Sequence, residues 1–257
     1  MPGTIESQAM THTTIVSGEV LEKLKTFDSC IVSNAIERLN LRLRNEGFMS
    51  GVARCRFPNF PPMVGFAATA RIRTAAPPMS HRCYYDRMDF WQYVDSLPAP
   101  RILVLQDADH QPGLGAFVGE IHAAIGVALQ CVGCITNGAV RDLPAVEALK
   151  FQVYARRTSV SHAYAHIAEF GEPVEIDGLK IWPGDLLHGD RHGVINIPLS
   201  SASEISEESA KVLEQERDLV EFCHSPHFSL RELSQRLERM DLDCNLPWRR
   251  VEEPYET

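Results

Sequence analysis

The stretch 119–142, GEIHAAIGVALQCVGCITNGAVRD, holds residue types and a spacing suited to binding a small anion beside a hard cation. Gly119 precedes a helical periodicity that puts Ile121, Ile125, Ala128 and Leu129 on one face. The first N–H groups of a helix have no intrahelical partner, so this start is an anion site, and a glycine there lets a ligand approach the backbone. Glu120, just inside the helix, also complements its dipole. Twenty residues separate Glu120 from Arg141, which is followed directly by Asp142. A guanidinium offers a bidentate fork to a carboxylate. An aspartate offers oxygen to a divalent ion that keeps several waters. Plainer uses exist: Asp142 can cap the helix that Pro144 begins, and Arg141 can be a surface cation.

The surrounding elements decide whether these groups meet. Arg101–Asp107, RILVLQD, is a near-continuous apolar strand of the kind buried in a parallel sheet. A helix over Gly119–Gln130, a strand over Val132–Thr136, a turn over Asn137–Asp142, a helix from Pro144 to about Lys150 and a strand over Phe151–Arg156 follow. This alternation predicts right-handed parallel crossovers, with ligands at the carboxyl ends of the strands. Asp107, Glu120, Arg141 and Asp142 all fall on that edge.

The flanks frame this unit. Residues 1–16 read as a flexible arm. Ser17 caps a helix carrying Val20, Leu21, Leu24 and Phe27, and a second helix covers Ser33–Leu41. Gly65–Thr74 alternates as a strand. Residues 77–97 concentrate Tyr84, Tyr85, Phe90, Trp91 and Tyr93 with Arg82 and Arg87, which fits a core-packed helix first and a lid second. Beyond 170, short runs at 173–176, 179–182, 186–188 and 193–198 predict hairpins. Ser201 with Glu204 and Ser229 with Glu232 are capping boxes that start two helices. The expected organisation is an arm over 1–16, an α/β domain over 17–200 and a helical tail over 201–257.

Composition narrows the function. A net charge of −9 over 257 residues argues against nucleic acid as a partner. No apolar run approaches the ~20 residues needed to span a bilayer, and the start lacks a basic segment followed by an apolar one. The expected setting is cytoplasmic, where seven scattered cysteines stay reduced. The lone CxxC, Cys131 and Cys134, lies in an apolar run and belongs to the core rather than to a four-ligand metal site. His162 and His166 stand four apart without an HExxH context and read as surface or interface residues. His188 and His192 flank Asp190 in the hairpin region and stay outside the candidate site.

The acid, the twenty-residue interval and the Arg-Asp pair, within GE…NGAVRD, resemble the RraA-like family. That family includes the 4-hydroxy-4-methyl-2-oxoglutarate/4-carboxy-4-hydroxy-2-oxoadipate aldolases and the regulator of ribonuclease E activity. The likeness extends to GFAATARIRT, VYARRTS and PGDLLHGDRHGVINIP and covers about residues 18–200. It implies an α/β/α sandwich of the swivelling phosphohistidine-domain type, assembled as a homotrimer or homohexamer with sites between subunits. It also implies Mg²⁺ or Mn²⁺ and a 2-oxo acid substrate, cleaved by retro-aldol reaction or decarboxylated through a metal-stabilised enolate. On that basis Asp142 holds the metal and Arg141 contacts the oxo acid. Amides over Gly119, Glu120, Ile121 and His122 take its carboxylate, and Glu120 acts through metal-bound water. The family's regulators supply the other expectation, a non-catalytic protein-binding role. The chain departs from the aldolases in having Glu at 120, where they often have Asp, and in offering Glu147 as the first acid after the Arg-Asp pair.

Overall fold

The computed structural model describes residues 16–78 and 87–243. The expected arm up to Ile15, and Arg82, Tyr84 and Tyr85 of the aromatic segment, lie outside the described residues. Among the described residues no helix is long and apolar enough to cross a membrane.

The fold is mixed α/β. Its main sheet follows the order β1 (Arg54–Cys55), β6 (Gln152–Thr158), β5 (Cys131–Val140), β3 (Arg101–Asp107), β2 (Met63–Arg73), β10 (Leu186–Asp190) and β11 (Gly193–Ile197), with β4 (Ala116–Val118) beside β5 and β7 (His166–Phe170) beside β2. The centre is parallel: β2, β3, β5 and β6 run together, the last three as the alternation predicts. The crossovers carry α3 (Met88–Ser96), α4 (Glu120–Ala128) and α5 (Leu143–Ala148).

Strand alternation sorts the side chains into two cores. Ala68, Ala70, Leu103, Leu105, Cys134 and Val153 face Phe90, Trp91, Ala123 and Val146 of the crossover helices. Their neighbours Ala67, Ile102, Val104, Ile135 and Tyr154 face the other way, onto Val174, Ile176, Leu179 and Ile181. These last four belong to a two-stranded sheet, β8 (Val174–Ile176) with β9 (Leu179–Ile181). A hairpin therefore covers the middle of that face, where a sandwich of the expected kind has helices. The described aromatics of residues 88–97 take the core-packing role: Phe90 is fully buried and Tyr93 stacks on Phe170 at 5.3 Å. Cys131 and Cys134 are free thiols in the core, and burial pushes the Cys131 thiol up to about 12.

A third core forms at the β10 (Leu186–Asp190) and β11 (Gly193–Ile197) end, under α1 (Gly18–Leu24) and α2 (Ser29–Arg38). Ser17 Oγ accepts the Val20 N–H at 3.3 Å, as its cap position predicts. α2 starts before Ser33 because Asp28 takes the cap, accepting the Ile31 N–H at 2.8 Å. α6 (Ala202–His224) buries Ala202, Ile205 and Val212 in the same core. A 3₁₀ turn over Leu199–Ser201 replaces the capping-box bond expected of Ser201, whereas Ser229 Oγ does accept the Glu232 N–H at 3.3 Å.

His188 ties this corner together. It is fully buried on β10, with Nε2 donating to the Leu24 and Phe27 carbonyls at 3.2 and 3.1 Å. Nδ1, left as the acceptor, takes the Ser29 hydroxyl at 3.1 Å. Asp190 Oδ2 accepts the Ser29 N–H at 3.0 Å. His188→Ala should therefore cost about 2–4 kcal/mol, from stranded carbonyls and a cavity. Chemical denaturation should show a lower midpoint at unchanged slope. An unchanged midpoint would mean that the network contributes nothing.

Candidate active site

The convergence of residue 119 with residues 141 and 142 follows from one short strand. β4 (Ala116–Val118) runs parallel to the end of β5, pairing Ala116 with Ala139 and Val118 with Val140. The Arg141 N–H then reaches the Val118 carbonyl at 3.0 Å. α4 starts directly after β4 and α5 directly after Asp142, so two helix N-termini open at one point.

β5 is longer than predicted. Asn137 and Gly138 lie inside it, across a register shift between Thr136 and Ala139. β3 pairs with β5 only as far as Leu105 opposite Thr136. Beyond that point Asn137 substitutes for a strand neighbour, accepting the Asp107 N–H at 2.6 Å and donating to its carbonyl at 3.0 Å. Asp107 reaches the strand edge as expected, but its carboxylate anchors the following loop by accepting the Gly113 N–H at 2.7 Å and the Asp109 N–H at 3.1 Å. Burial pushes its pKa up, against those bonds.

Asp142 occupies the N-cap position of α5 but does not cap it. Its backbone is left-handed, with φ 54° and ψ 35°, and its side chain makes no cap bond. The carboxylate turns instead to the start of α4. Oδ2 accepts the Glu120 N–H at 3.3 Å, and Oδ1 accepts Nε–H of Arg141 at 3.1 Å. Burial pushes the Asp142 carboxyl up, but the Arg141 and Glu120 bonds, with the charge of Arg141, hold it below the usual carboxylate range. Gly119 makes the approach feasible, because a Cβ there would stand 2.5 Å from Asp142 Oδ2 and 2.9 Å from Arg141 Cγ.

The six residues singled out from sequence divide by what they present. Gly119, the Glu120 amide, Arg141 and Asp142 meet in one cluster. The Glu120 side chain is exposed and has no hydrogen bond or ion pair with the described residues. Ile121 is 55% exposed, and its N–H, in the first turn of α4, has no intrahelical acceptor. The His122 ring is buried between Phe117 and Trp91, with centroids at 4.5 and 6.0 Å, so only its backbone can face a ligand.

His162, read from sequence as a surface or interface residue, is partly exposed and also touches Arg141 of the site. The segment 162–166 is loop running into β7 (His166–Phe170), not a helix, so the four-residue spacing to His166 loses its meaning. Arg141 Nη1 lies 3.4 Å from His162 Nδ1 and 3.3 Å from Nε2. No hydrogen bond or ion pair joins Arg141 Nη2 to the described residues. Nothing local in the sequence points to a contact spanning 21 positions.

Two expectations follow. Gly119→Ala should force Asp142 off the α4 terminus and raise its carboxyl pKa toward the ordinary value of about 3.9, measurable by NMR titration; an unmoved pKa would refute the steric argument. Burial, then the charge of His162, push His122 down to about 4. The unfolded chain titrates near 6.5, so it binds more protons below that pH, and this contribution to stability falls away from about pH 6.5 to 4. His122→Phe should flatten the decline in melting temperature across that window, and a parallel decline would refute it.

The RraA-like family model, described as Aldolase/RraA, matches residues 29–196, more than half of the chain. A Halalkalibacterium halodurans protein provisionally named 4-hydroxy-4-methyl-2-oxoglutarate aldolase is 30% identical over 97 residues, 37% of this chain and 46% of that protein. The chain spans less than half the length of the curated relatives it matches. Among solved structures, an uncharacterized Pseudomonas syringae protein aligns at a TM-score of 0.68 with 22% identity, over 91% of this chain and all of its own. Streptomyces coelicolor RraAS2, described as an unusual member of the RNase ES inhibitor RraA family, aligns at 0.62 with 21% identity, over 80% of this chain and 97% of its own. These structural likenesses speak for the fold. With the family match across the parallel sheet and both helix starts of the site, the chain belongs to the RraA-like family.

Proposed function

We propose that the protein is a divalent-metal-dependent carbon–carbon lyase acting on a 2-oxo acid, by retro-aldol cleavage that yields pyruvate, by decarboxylation of oxaloacetate, or by both. The observation that carries this reading is the Asp142 carboxylate, turned from its own helix and held beside the Arg141 guanidinium at the start of α4.

The donor set suits Mg²⁺ or Mn²⁺. Among the described residues no group of three or more His, Cys, Asp or Glu side chains could cage an ion. One carboxylate with water and substrate oxygens for the rest is how such hard ions are commonly held. Asp142 would be that ligand, its side chain 35% exposed. When bound, the ion supplies Lewis-acid polarisation of the 2-oxo group.

The protein's own groups do the remaining work. Amides of the first turn of α4, Ile121 among them, take the substrate carboxylate. The outer N–H groups of Arg141 bind the oxo acid and stabilise the negative charge that develops as the bond beyond C3 breaks. Glu120 positions the water that returns a proton to carbon. None of these residues is an amine nucleophile, so the chemistry is not of the Schiff-base type.

Leu114, Ile121, Val160 and Tyr164 are each more than half exposed, Val160 at 94%. Leu114 and Val160 lie on the two loops that the Ser159 hydroxyl joins, with its hydroxyl on the Leu114 carbonyl at 3.0 Å. These residues support assembly of further copies against this side, as a homotrimer or homohexamer. They equally favour the second reading, a non-catalytic member that binds another protein here.

Catalysis separates the two readings. With Mg²⁺ or Mn²⁺ the protein should release pyruvate from oxaloacetate, and chelator should abolish the release. Asp142→Ala should lower kcat/KM by about 100-fold or more, as expected for a group that organises charge stabilisation. Full activity in that variant or in excess chelator would overturn the metal reading.

A further inference from the structure

We infer that His162 is the positioning residue for Arg141, a flat stop that fixes the guanidinium so that its outer N–H groups face the ligand. The inference rests on the oxo-acid reading of the site and adds to it the element that sets the arginine's position.

The contact geometry is specific. Arg141 Nη1 is almost equidistant from the two ring nitrogens, at 3.4 and 3.3 Å. No point in the ring plane meets both distances without running into the carbon between those nitrogens or into the ring itself. Nη1 therefore lies over the imidazole face, and the contact is a cation on an aromatic surface rather than an in-plane hydrogen bond. A neutral ring is required, because an imidazolium would repel the guanidinium. Burial, then the charge of Arg141, favour the neutral ring, against the charge of Asp142.

The backbone around His162 is built to hold it. The Ala116 N–H donates to the Ser161 carbonyl at 2.9 Å, tying the loop to β4, the strand that sets the site. The Ala165 N–H closes onto the His162 carbonyl at 3.0 Å, and the Tyr164 N–H reaches the Thr74 carbonyl at 3.1 Å. Ala163 is left-handed at φ 48°, with its N–H on Ser161 Oγ at 2.9 Å. Gly115 lies so close to the His162 carbonyl that any Cβ there would collide with it. L residues disfavour the left-handed region, and here Ala163, next to His162, and Asp142, next to Arg141 and at φ 54°, both adopt it. The guanidinium is thus held by Asp142 Oδ1 at Nε and by the His162 face at Nη1, which leaves Nη2 to the substrate.

A double-mutant cycle on oxaloacetate decarboxylation with Mg²⁺ tests this. His162→Ala should lower kcat/KM about tenfold, with the same division between KM and kcat as Arg141→Lys. Added to Arg141→Lys it should cost less than twofold more, and His162→Phe, which restores a flat uncharged face, should recover most of the loss. A loss below twofold for His162→Ala, or the same tenfold loss in the Arg141→Lys background, would overturn the proposal. If the wild-type protein shows no activity, the lyase reading fails by itself. The stack is then read from the Arg141 Nε–Hε resonance in ¹⁵N NMR, which must move in His162→Ala and stay near its wild-type position in His162→Phe. A resonance unmoved in His162→Ala would overturn the positioning role whatever the reaction.

Discussion

The end of β4 lies beside the end of β5, and the site depends on a glycine at 119 that leaves room for the side chains following β5. A side chain at 119 would enter the space of the Asp142 carboxylate and the Arg141 stem. Because the space is open, Asp142 can cap the neighbouring helix, α4, while its backbone starts α5. The left-handed conformation this demands costs roughly 1–2 kcal/mol in a non-glycine residue. A hydrogen bond from a backbone amide to a carboxylate contributes about 1.5–3 kcal/mol before solvent screening, enough for the arrangement to offset that cost. Its chemical consequence is a carboxylate aimed at an open helix terminus beside a cation, where an ordinary cap would have spent it on its own helix.

Much of this was legible in the sequence. The apolar run of Arg101–Asp107, the helical period after Gly119 and the position of Pro144 predict the parallel strands and crossovers that the structure has. Placement of Glu120, Arg141 and Asp142 at one sheet edge follows from that topology. The capping logic worked where the cap is a local bond, as at Ser17 and Ser229. At Ser201 it did not, because a 3₁₀ turn precedes the helix, and at α2 the earlier Asp28 took the role. Asn137-Gly138 resembles a turn in sequence, but a side chain that imitates a strand neighbour keeps it inside β5.

What sequence could not supply was contact between segments that local pattern does not link. β4 is only three residues long, too short for alternation to register, yet it sets the whole geometry. His162 has no helical face to share with His166, and its part in the site comes from a loop that β4 anchors. The hairpin β8–β9 was visible as a pair of short strands, but not its place over the second face of the parallel sheet. That place is set by which residues of β2, β3, β5 and β6 point away from the crossover helices.

The most direct test is crystallographic. Crystals grown with Mn²⁺ and oxalate, an unreactive two-carboxylate stand-in for the oxo acid, should show an anomalous manganese peak on the Asp142 carboxylate. Oxalate should lie between that peak, the Arg141 guanidinium and the first amides of α4. An anomalous peak only at other residues, or oxalate ordered with no ion at Asp142, would contradict the account.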